Sequence, residues 1–551
     1  VSEIDQLNLG PVALDLKINV RHMTMERRPV ACSLGPIIDG VVPPHPCLTD
    51  TPTAVLGVAK RIGRLTPAVK RTTLRRFRTF VHVWIRKNLR PLSLDQDLSF
   101  ETWVMSRPYS LARKRELIRK FEVVAHIEDP DKRYYQLKCF VKDEFYPEFK
   151  MARGIFSRSD EFKCFSGPIF SAIEKQVFKL KWFIKYVPVS DRARHIQETM
   201  EVPGAKYIYT DYTAFESSFS REFMDACEFE LYRFMTGSMP HAKHWCNIME
   251  EAILGGQILN FKEFSARINA RRQSGEMCTS LGNGFSNLMI MLFACSEQGM
   301  TNIVGFVEGD DGLFRVPYPE RLSCYFTELG FDIKLGETFD LSRASFCGLL
   351  YDTETGSVIT EPLEAISLLG WGSMKYARAS NYKRNALLRA KALSMAYQYP
   401  SCPLISSMAW YVLKCTGSVT KRDMYKLAQN TMNQYEFRQF LEAFTQSNDA
   451  LPRRPISMST RILMAGEFGI PVAAQLAVEQ YLDGLTQIQT LRIPLVTALA
   501  PRKWVQYADL YVSRPDLPCT APVLRRVETV LAVPKTAGGV CPVRMHASAC
   551  R

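Results

Sequence analysis

Asp310 and Asp311 stand side by side between two apolar, β-prone runs at 304–307 and 313–316, with Gly309 and Gly312 on either flank. The stretch predicts a β-hairpin carrying both acids at its tip. Adjacent carboxylates repel each other, and a divalent cation would relieve that repulsion; hard oxygen ligands suit Mg²⁺ or Mn²⁺. An Asp-Gly turn that is acidic for no chemical reason competes with this reading. A second β-prone run, 207–210, ends in Asp211. That acid could cap a helix. Alternatively, two strand-end carboxylate sites meeting on one sheet could hold two cations about 4 Å apart, the arrangement for in-line phosphoryl transfer.

Between the acids lies Ser274-Gly275, followed by Thr279 and Asn283. Thr279 and Asn283 are four apart, hence on one face of a predicted helix. Small hydroxyl and amide groups there can hydrogen-bond a sugar, although a capped helix with close packing would use the same residues.

In this order the three segments resemble motifs A, B and C of the viral RNA-dependent RNA polymerases. Ser274, Gly275, Thr279 and Asn283 meet motif B's SGxxxTxxxN, and Gly309, Asp310 and Asp311 are motif C's GDD. Asp211 matches the first acid of motif A, while the second position carries Glu216 in place of aspartate. The resemblance implies that Asp211, Asp310 and Asp311 are catalytic metal ligands. It further implies that Glu216, Asn283 and Ser274 inspect the ribose 2′-hydroxyl, the group that distinguishes RNA from DNA.

Phe140-Val141-Lys142-Asp143-Glu144 with the run from Lys150 to Arg153 and Ile155 is similar to motif F. Lys142, Lys150 and Arg153 would then neutralise the nucleotide triphosphate, arginine through a bidentate fork. Leu329-Gly330-Phe331-Asp332-Ile333-Lys334 resembles motif D, with Lys334 in a turn as proton donor to pyrophosphate. Phe346-Cys347-Gly348 resembles motif E, which grips the primer strand. The resemblance covers roughly 138–350. The run from Asp211 to Phe219 and the Lys142/Glu144 spacing point within it to the tombus-like and noda-like positive-strand viruses, and the A-B-C order argues against permuted polymerases.

The implied fold is α+β, a right-hand polymerase with fingers, an antiparallel-sheet palm and a mostly helical thumb. Residues 1–59 read as an extended N-terminal arm, because Pro and Gly cluster at 35–46. Residues 60–205 supply basic helices and fingers. Palm segments fall at 206–221 (motif A) and 271–375 (motifs B to E), around a fingers insertion at 222–270. A helical thumb follows at 376–485 and an irregular tail at 486–551. Other expected helices are 95–120, 168–186 and 219–236.

The composition agrees with a polyanionic partner. The 551 residues carry 70 Lys+Arg against 56 Asp+Glu, a net charge of +14. From Lys60 to Arg90 eleven basic residues occur with no acid, interleaved with Leu74, Phe77, Phe80, Val81, Trp84 and Ile85 at helical spacing. Such a helix would contact RNA phosphates through Arg71, Arg75, Arg76 and Arg78, or lie on a membrane surface. Template RNA, nascent RNA and nucleoside triphosphates are the expected partners. No apolar run reaches the roughly 18 residues of a membrane span. Attachment at membrane-associated replication complexes in the host cytoplasm would then need a viral replicase partner, an upstream viral protein or the basic helix.

The 15 cysteines include no CxxC pair and read as reduced thiols. His241, His244 and Cys246 are the nearest approach to a zinc set, with no evident fourth ligand. The start at Val1 is compatible with a processed, read-through or truncated product. A reverse transcriptase and a non-catalytic RNA-binding protein are the competing functions. Ribonucleotide incorporation excludes the first, and loss of synthesis on Asp310→Asn excludes the second.

Overall fold

The computed structural model describes residues 12–24, 31–43, 45–107, 109–125, 130–146, 151–432, 434–446, 453–502 and 504–505. Its centre is a four-stranded antiparallel sheet in the order β10-β5-β9-β8, formed by β5 (Tyr207–Tyr212), β8 (Val304–Glu308), β9 (Asp311–Arg315) and β10 (Ile333–Thr338). The long helix Thr279–Glu297 lies against this sheet. From Leu281 to Cys295 every residue of it is buried, as expected for a helix that is apolar on all sides.

A five-stranded sheet in the order β1-β7-β6-β3-β4 joins β1 (Leu14–Ile18), β3 (Leu137–Val141), β4 (Gly154–Arg158), β6 (Gln257–Asn260) and β7 (Phe264–Ile268). Beyond Ser380 the chain is helical, with Asn381–Gln398, Ile405–Cys415, Lys421–Thr431, Gln434–Gln446, Met458–Phe468 and Val472–Gly484 around a separate apolar core. The order of elements fits the α+β expectation. Among the described residues, no single helix is long and apolar enough to cross a membrane.

The described part of the expected N-terminal arm is built into the fold. β1 pairs with β7, and β2 (Ala31–Ser33) pairs with β13 (Trp371–Ser373). Ile38 bridges to Leu491, and Leu34, Ile38 and Val41 enter the core of the C-terminal helices. Thr51–Arg61 is a helix, capped by Asp50, whose carboxylate accepts from the Thr53 amide, with Pro52 at its start. Val55, Leu56, Val58 and Ala59 bury it against β3, β4 and β6. The cap, the N-terminal proline and the apolar run are all signals in the sequence; the neighbouring Pro/Gly cluster obscured them.

The basic block is two helices, ending at Arg61 and resuming at Arg71 (Arg71–Asn88). The 95–120 region holds Phe100–Ser106 and Leu111–Val124, and the helix expected at 168–186 runs instead over Asp160–Val177. Its start is set by Ser159, whose hydroxyl accepts from the Phe162 amide. The 219–236 region is broken at Cys227 into Arg221–Ala226 and Glu228–Thr236. In the tail, Pro494–Leu499 is helical, and Leu491, Ile493, Val496 and Trp504 are buried.

Candidate active site

The acidic stretch is a hairpin. Glu308 pairs with Asp311, which leaves Gly309-Asp310 as a two-residue turn. Gly309 has φ +63°, the left-handed value that suits glycine at the first turn position. β9 also pairs with β5, and through that pairing motif A and motif C share one sheet. The Thr210 hydroxyl donates to the Asp310 carbonyl at 3.0 Å, fixing the end of β5 to the turn. At the end of β5, Tyr212, Phe215, Phe219, Phe223 and Phe331 pack ring against ring in the core, most pairs edge to face.

Asn287, which the motif pattern does not include, holds the turn from the other side. Its Nδ2 donates to the carbonyls of Gly309 (3.3 Å), Asp310 (3.0 Å) and Asp311 (3.0 Å). Its Oδ1 accepts from the Tyr212 hydroxyl at 2.9 Å. The signal was periodic: Thr279, Asn283 and Asn287 recur every four residues on one helix face.

Burial and neighbouring negative charge raise the proton affinity of Asp310 and Asp311. Burial is the main cause for Asp310, followed by the charge of Asp211, with Arg153 and Arg61 opposing. Asp311 is pushed up to about 7 by burial, then by Asp310, Glu308 and Asp211. Such a group favours a cation. Among the described residues no three side-chain donors form a ready-made metal cage. Mg²⁺ commonly takes one or two carboxylates and completes its shell with water and substrate phosphates, so the donor set fits. Cys347 and Gly348, both at positive φ, form the tight turn between Phe346 and Leu349, and the Cys347 thiol lies beside Asp311.

The residues expected to read the sugar are brought together. Glu216, on the 3₁₀ turn Phe215–Ser218, accepts from the Ser274 hydroxyl and from Asn283 Nδ2 at 3.5 Å. Burial raises the Glu216 carboxyl above its usual range, opposed by the Ser274 hydrogen bond. Among the described residues, Asn283 Oδ1 is buried without a hydrogen-bond partner. The Ser274 carbonyl accepts from the Phe156 amide at 2.7 Å, which fixes the loop to β4. The Thr279 hydroxyl donates to the Gln273 carbonyl at 2.8 Å, so this side chain shapes the loop. Gly275 turns it at φ +106°.

The loop is braced by a buried ionic network that sequence reading missed. Arg272 pairs with Glu228, both fully buried, and approaches Glu276 at 3.6 Å. Arg158 reaches Glu276 at 2.6 Å. Arg272 and Glu276 thus bracket Ser274 and Gly275 in the chain.

In the motif F segment, Glu144 pairs with Lys142 at 2.9 Å and with Arg153 at 3.6 Å. Lys150 lies outside the described residues. Lys334 is in β10, directly opposite Asp211, and exposed; it belongs to a strand and not to a turn. On the basic helix Arg76 pairs with Glu297, and Arg78 with Asp225 and Glu230. Arg71 and Arg75 are exposed. Cys246 of the zinc candidate is buried beside the Thr236 hydroxyl.

A family model described as RNA dependent RNA polymerase matches residues 66–387, more than half of the chain. No curated protein matches. The matched region contains both carboxylate strands, the Ser274-Gly275 loop and the segment that resembles motif F. The chain belongs to the RNA-dependent RNA polymerase family of positive-strand RNA viruses.

Proposed function

We propose that Asp211, Asp310 and Asp311 hold two Mg²⁺ ions, replaceable by Mn²⁺, for template-directed nucleotidyl transfer to an RNA 3′-hydroxyl. Divalent ions in this family activate the attacking hydroxyl and stabilise charge on the leaving pyrophosphate. The chain's own residues orient the reactants. Glu216, Ser274 and Asn283 form a hydrogen-bonded group beside the carboxylates, and the unpartnered Asn283 Oδ1 is an acceptor for the ribose 2′-hydroxyl. Lys142 and Arg153 exchange Glu144 for the triphosphate, and Lys150, outside the described residues, is the third cation of the motif. Lys334, across from Asp211, is the candidate proton donor to pyrophosphate. Gly275 and Thr279 keep the loop in shape.

The observation that carries this reading is the joining of β5 and the Gly309-Asp310 turn by Thr210 and Asn287, which sets the acids of two distant segments at one sheet end. The test is Mg²⁺-dependent primer extension. Asp310→Asn abolishes synthesis while RNA binding persists, and ribonucleotides are incorporated in preference to deoxyribonucleotides. Undiminished synthesis by Asp310→Asn would overturn the assignment.

The same reading makes the four-stranded sheet the palm, the five-stranded sheet part of the fingers and the helices after Ser380 the thumb. RNA phosphate contact by the basic helix falls first to Arg71 and Arg75, since Arg76 and Arg78 already have acidic partners. Tombus-like or noda-like affiliation rests on the run from Asp211 to Phe219 and the Lys142/Glu144 spacing. Work at membrane-associated complexes in the host cytoplasm, through a replicase partner, completes the proposal.

A further inference from the structure

Arg61 lies upstream of the family-matched residues 66–387, at the last turn of the helix Thr51–Arg61. That helix is seated directly on the motif F segment. A Cβ at Gly57 would stand 2.5 Å from the Ala152 carbonyl oxygen, so only glycine permits the approach. Arg61 follows Gly57 by four residues and shares its face. The seating puts its guanidinium in the electrostatic field of Arg153, Glu216 and Glu144, and in that of Asp310. The turn after the helix continues the contact: Arg64 donates to the Thr213 carbonyl at 3.3 Å, two residues beyond Asp211.

Among the described residues, no hydrogen bond or ion pair engages Arg61. It is partly buried beside a second cation, Arg153, whose nearest acid, Glu144, is shared with Lys142. Burial and the Arg153 charge both weaken its hold on its proton, yet a guanidinium stays charged in a protein. A partly buried Arg61 in the field of the more exposed Arg153, next to the clustered carboxylates, is relieved by an anion with several oxygens. Arginine pairs are well shaped for phosphate groups.

We propose that Arg61 and Arg153 form a two-arginine clamp on the β- and γ-phosphates of the incoming nucleotide, which leave together as pyrophosphate. The helix 51–61 is then part of the substrate site. This rests on the polymerase site proposed above, but fails separately from it. If that site is wrong, Asp310→Asn keeps its activity; if the clamp is wrong, the wild-type reaction is intact and Arg61 is dispensable.

The test is steady-state primer extension by Arg61→Gln, with nucleotide KM, kcat, inhibition by inorganic pyrophosphate and RNA affinity measured over a salt series. KM should rise about 10- to 100-fold for all four nucleotides, the loss expected for a charge-assisted contact. The pyrophosphate inhibition constant should rise in parallel, while RNA affinity and its salt slope stay as in wild type. Arg61→Lys, which keeps the charge but not the fork, should give a smaller rise. Partial unfolding would lower kcat through the active fraction and leave KM alone, so KM decides. Gly57→Ala leaves every cation in place but displaces the helix from Ala152, and should raise KM as well. An unchanged KM in Arg61→Gln overturns the clamp. So does a flattened salt dependence of RNA binding, which would make Arg61 a contact to the template backbone.

Discussion

The side-chain nitrogen of Asn287 lies 3.0 Å from the main-chain oxygen of Asp310, and its oxygen lies 2.9 Å from the hydroxyl of Tyr212, the residue after Asp211. One fully buried amide therefore spans the strand of the first acid and the turn of the other two. Replacing it by leucine strands several buried polar groups, each costing about 1–3 kcal/mol. Asn287→Leu should lower the melting temperature and reduce kcat at least tenfold. Tyr212→Phe, which loses one bond of the set, should reduce kcat less and raise the Mg²⁺ concentration for half-maximal rate. A Mg²⁺ requirement identical to wild type in both variants would show that the amide supports folding alone.

Glu216 sits where aspartate is usual in motif A, and it accepts from Ser274 and Asn283. Asn283→Ala removes one donor and the unpartnered acceptor. The ratio of kcat/KM for ribonucleotides over deoxyribonucleotides should fall by about 10- to 100-fold, most of it through the ribonucleotide value. Glu216→Asp retracts the carboxylate by one methylene and should lower the same ratio less. Equal losses for both sugars would move these residues out of sugar recognition.

Asp311 gives a pH signature. Its carboxyl is raised from an ordinary 3.8 to about 7. The fold thus favours the protonated form. That contribution is fully present below about 4 and is lost as pH rises through about 7. In chelator the melting temperature should decline over this window. The gain on adding Mg²⁺ should be larger at pH 8 than at pH 5.5, where the ion must displace a proton. Asp311→Asn should flatten both trends, and a gain independent of pH would contradict the assignment.

The pair of Arg272 and Glu228 is fully buried. Removing one partner leaves an uncompensated interior charge, at a cost of about 3–5 kcal/mol. Arg272→Met should therefore destabilise strongly, whereas Arg272→Met with Glu228→Leu should recover much of the loss. Thermal melts of the single and double variants measure this. If the network also steadies Ser274, the double variant regains stability without regaining sugar discrimination.

The site was largely legible because its chemistry is local in sequence. Gly309-Asp310 needs a left-handed glycine between two β-prone runs, and the motif spacing put Ser274 on a loop and Asn283 on the helix after it, where the structure has them. The spacing of Asn287 from Asn283 put it on the site's helix face, but its partners were not legible: a mid-helix asparagine looks the same whether it faces solvent or three carbonyls of another segment. The pairing of the basic helix was hidden for a similar reason. Its stretch holds no acids, but Asp225, Glu230 and Glu297 arrive from far downstream to pair with Arg78 and Arg76. The helix at Thr51 failed on weighting, since Asp50 and Pro52 marked its start and the Pro/Gly cluster before them counted for more.

The pairing of Ile38 with Leu491 and of Ala31–Ser33 with Trp371–Ser373 also has a temporal side. During synthesis, residues near the start of the chain leave the ribosome long before their partners exist. Contacts this distant in sequence form late and slow folding. A ribosome that stops before residue 491 releases a chain carrying Asp211, Asp310 and Asp311 but no partner for Ile38. Such a product should be open to proteolysis along 31–42, so that these distant contacts favour survival of chains translated past residue 491.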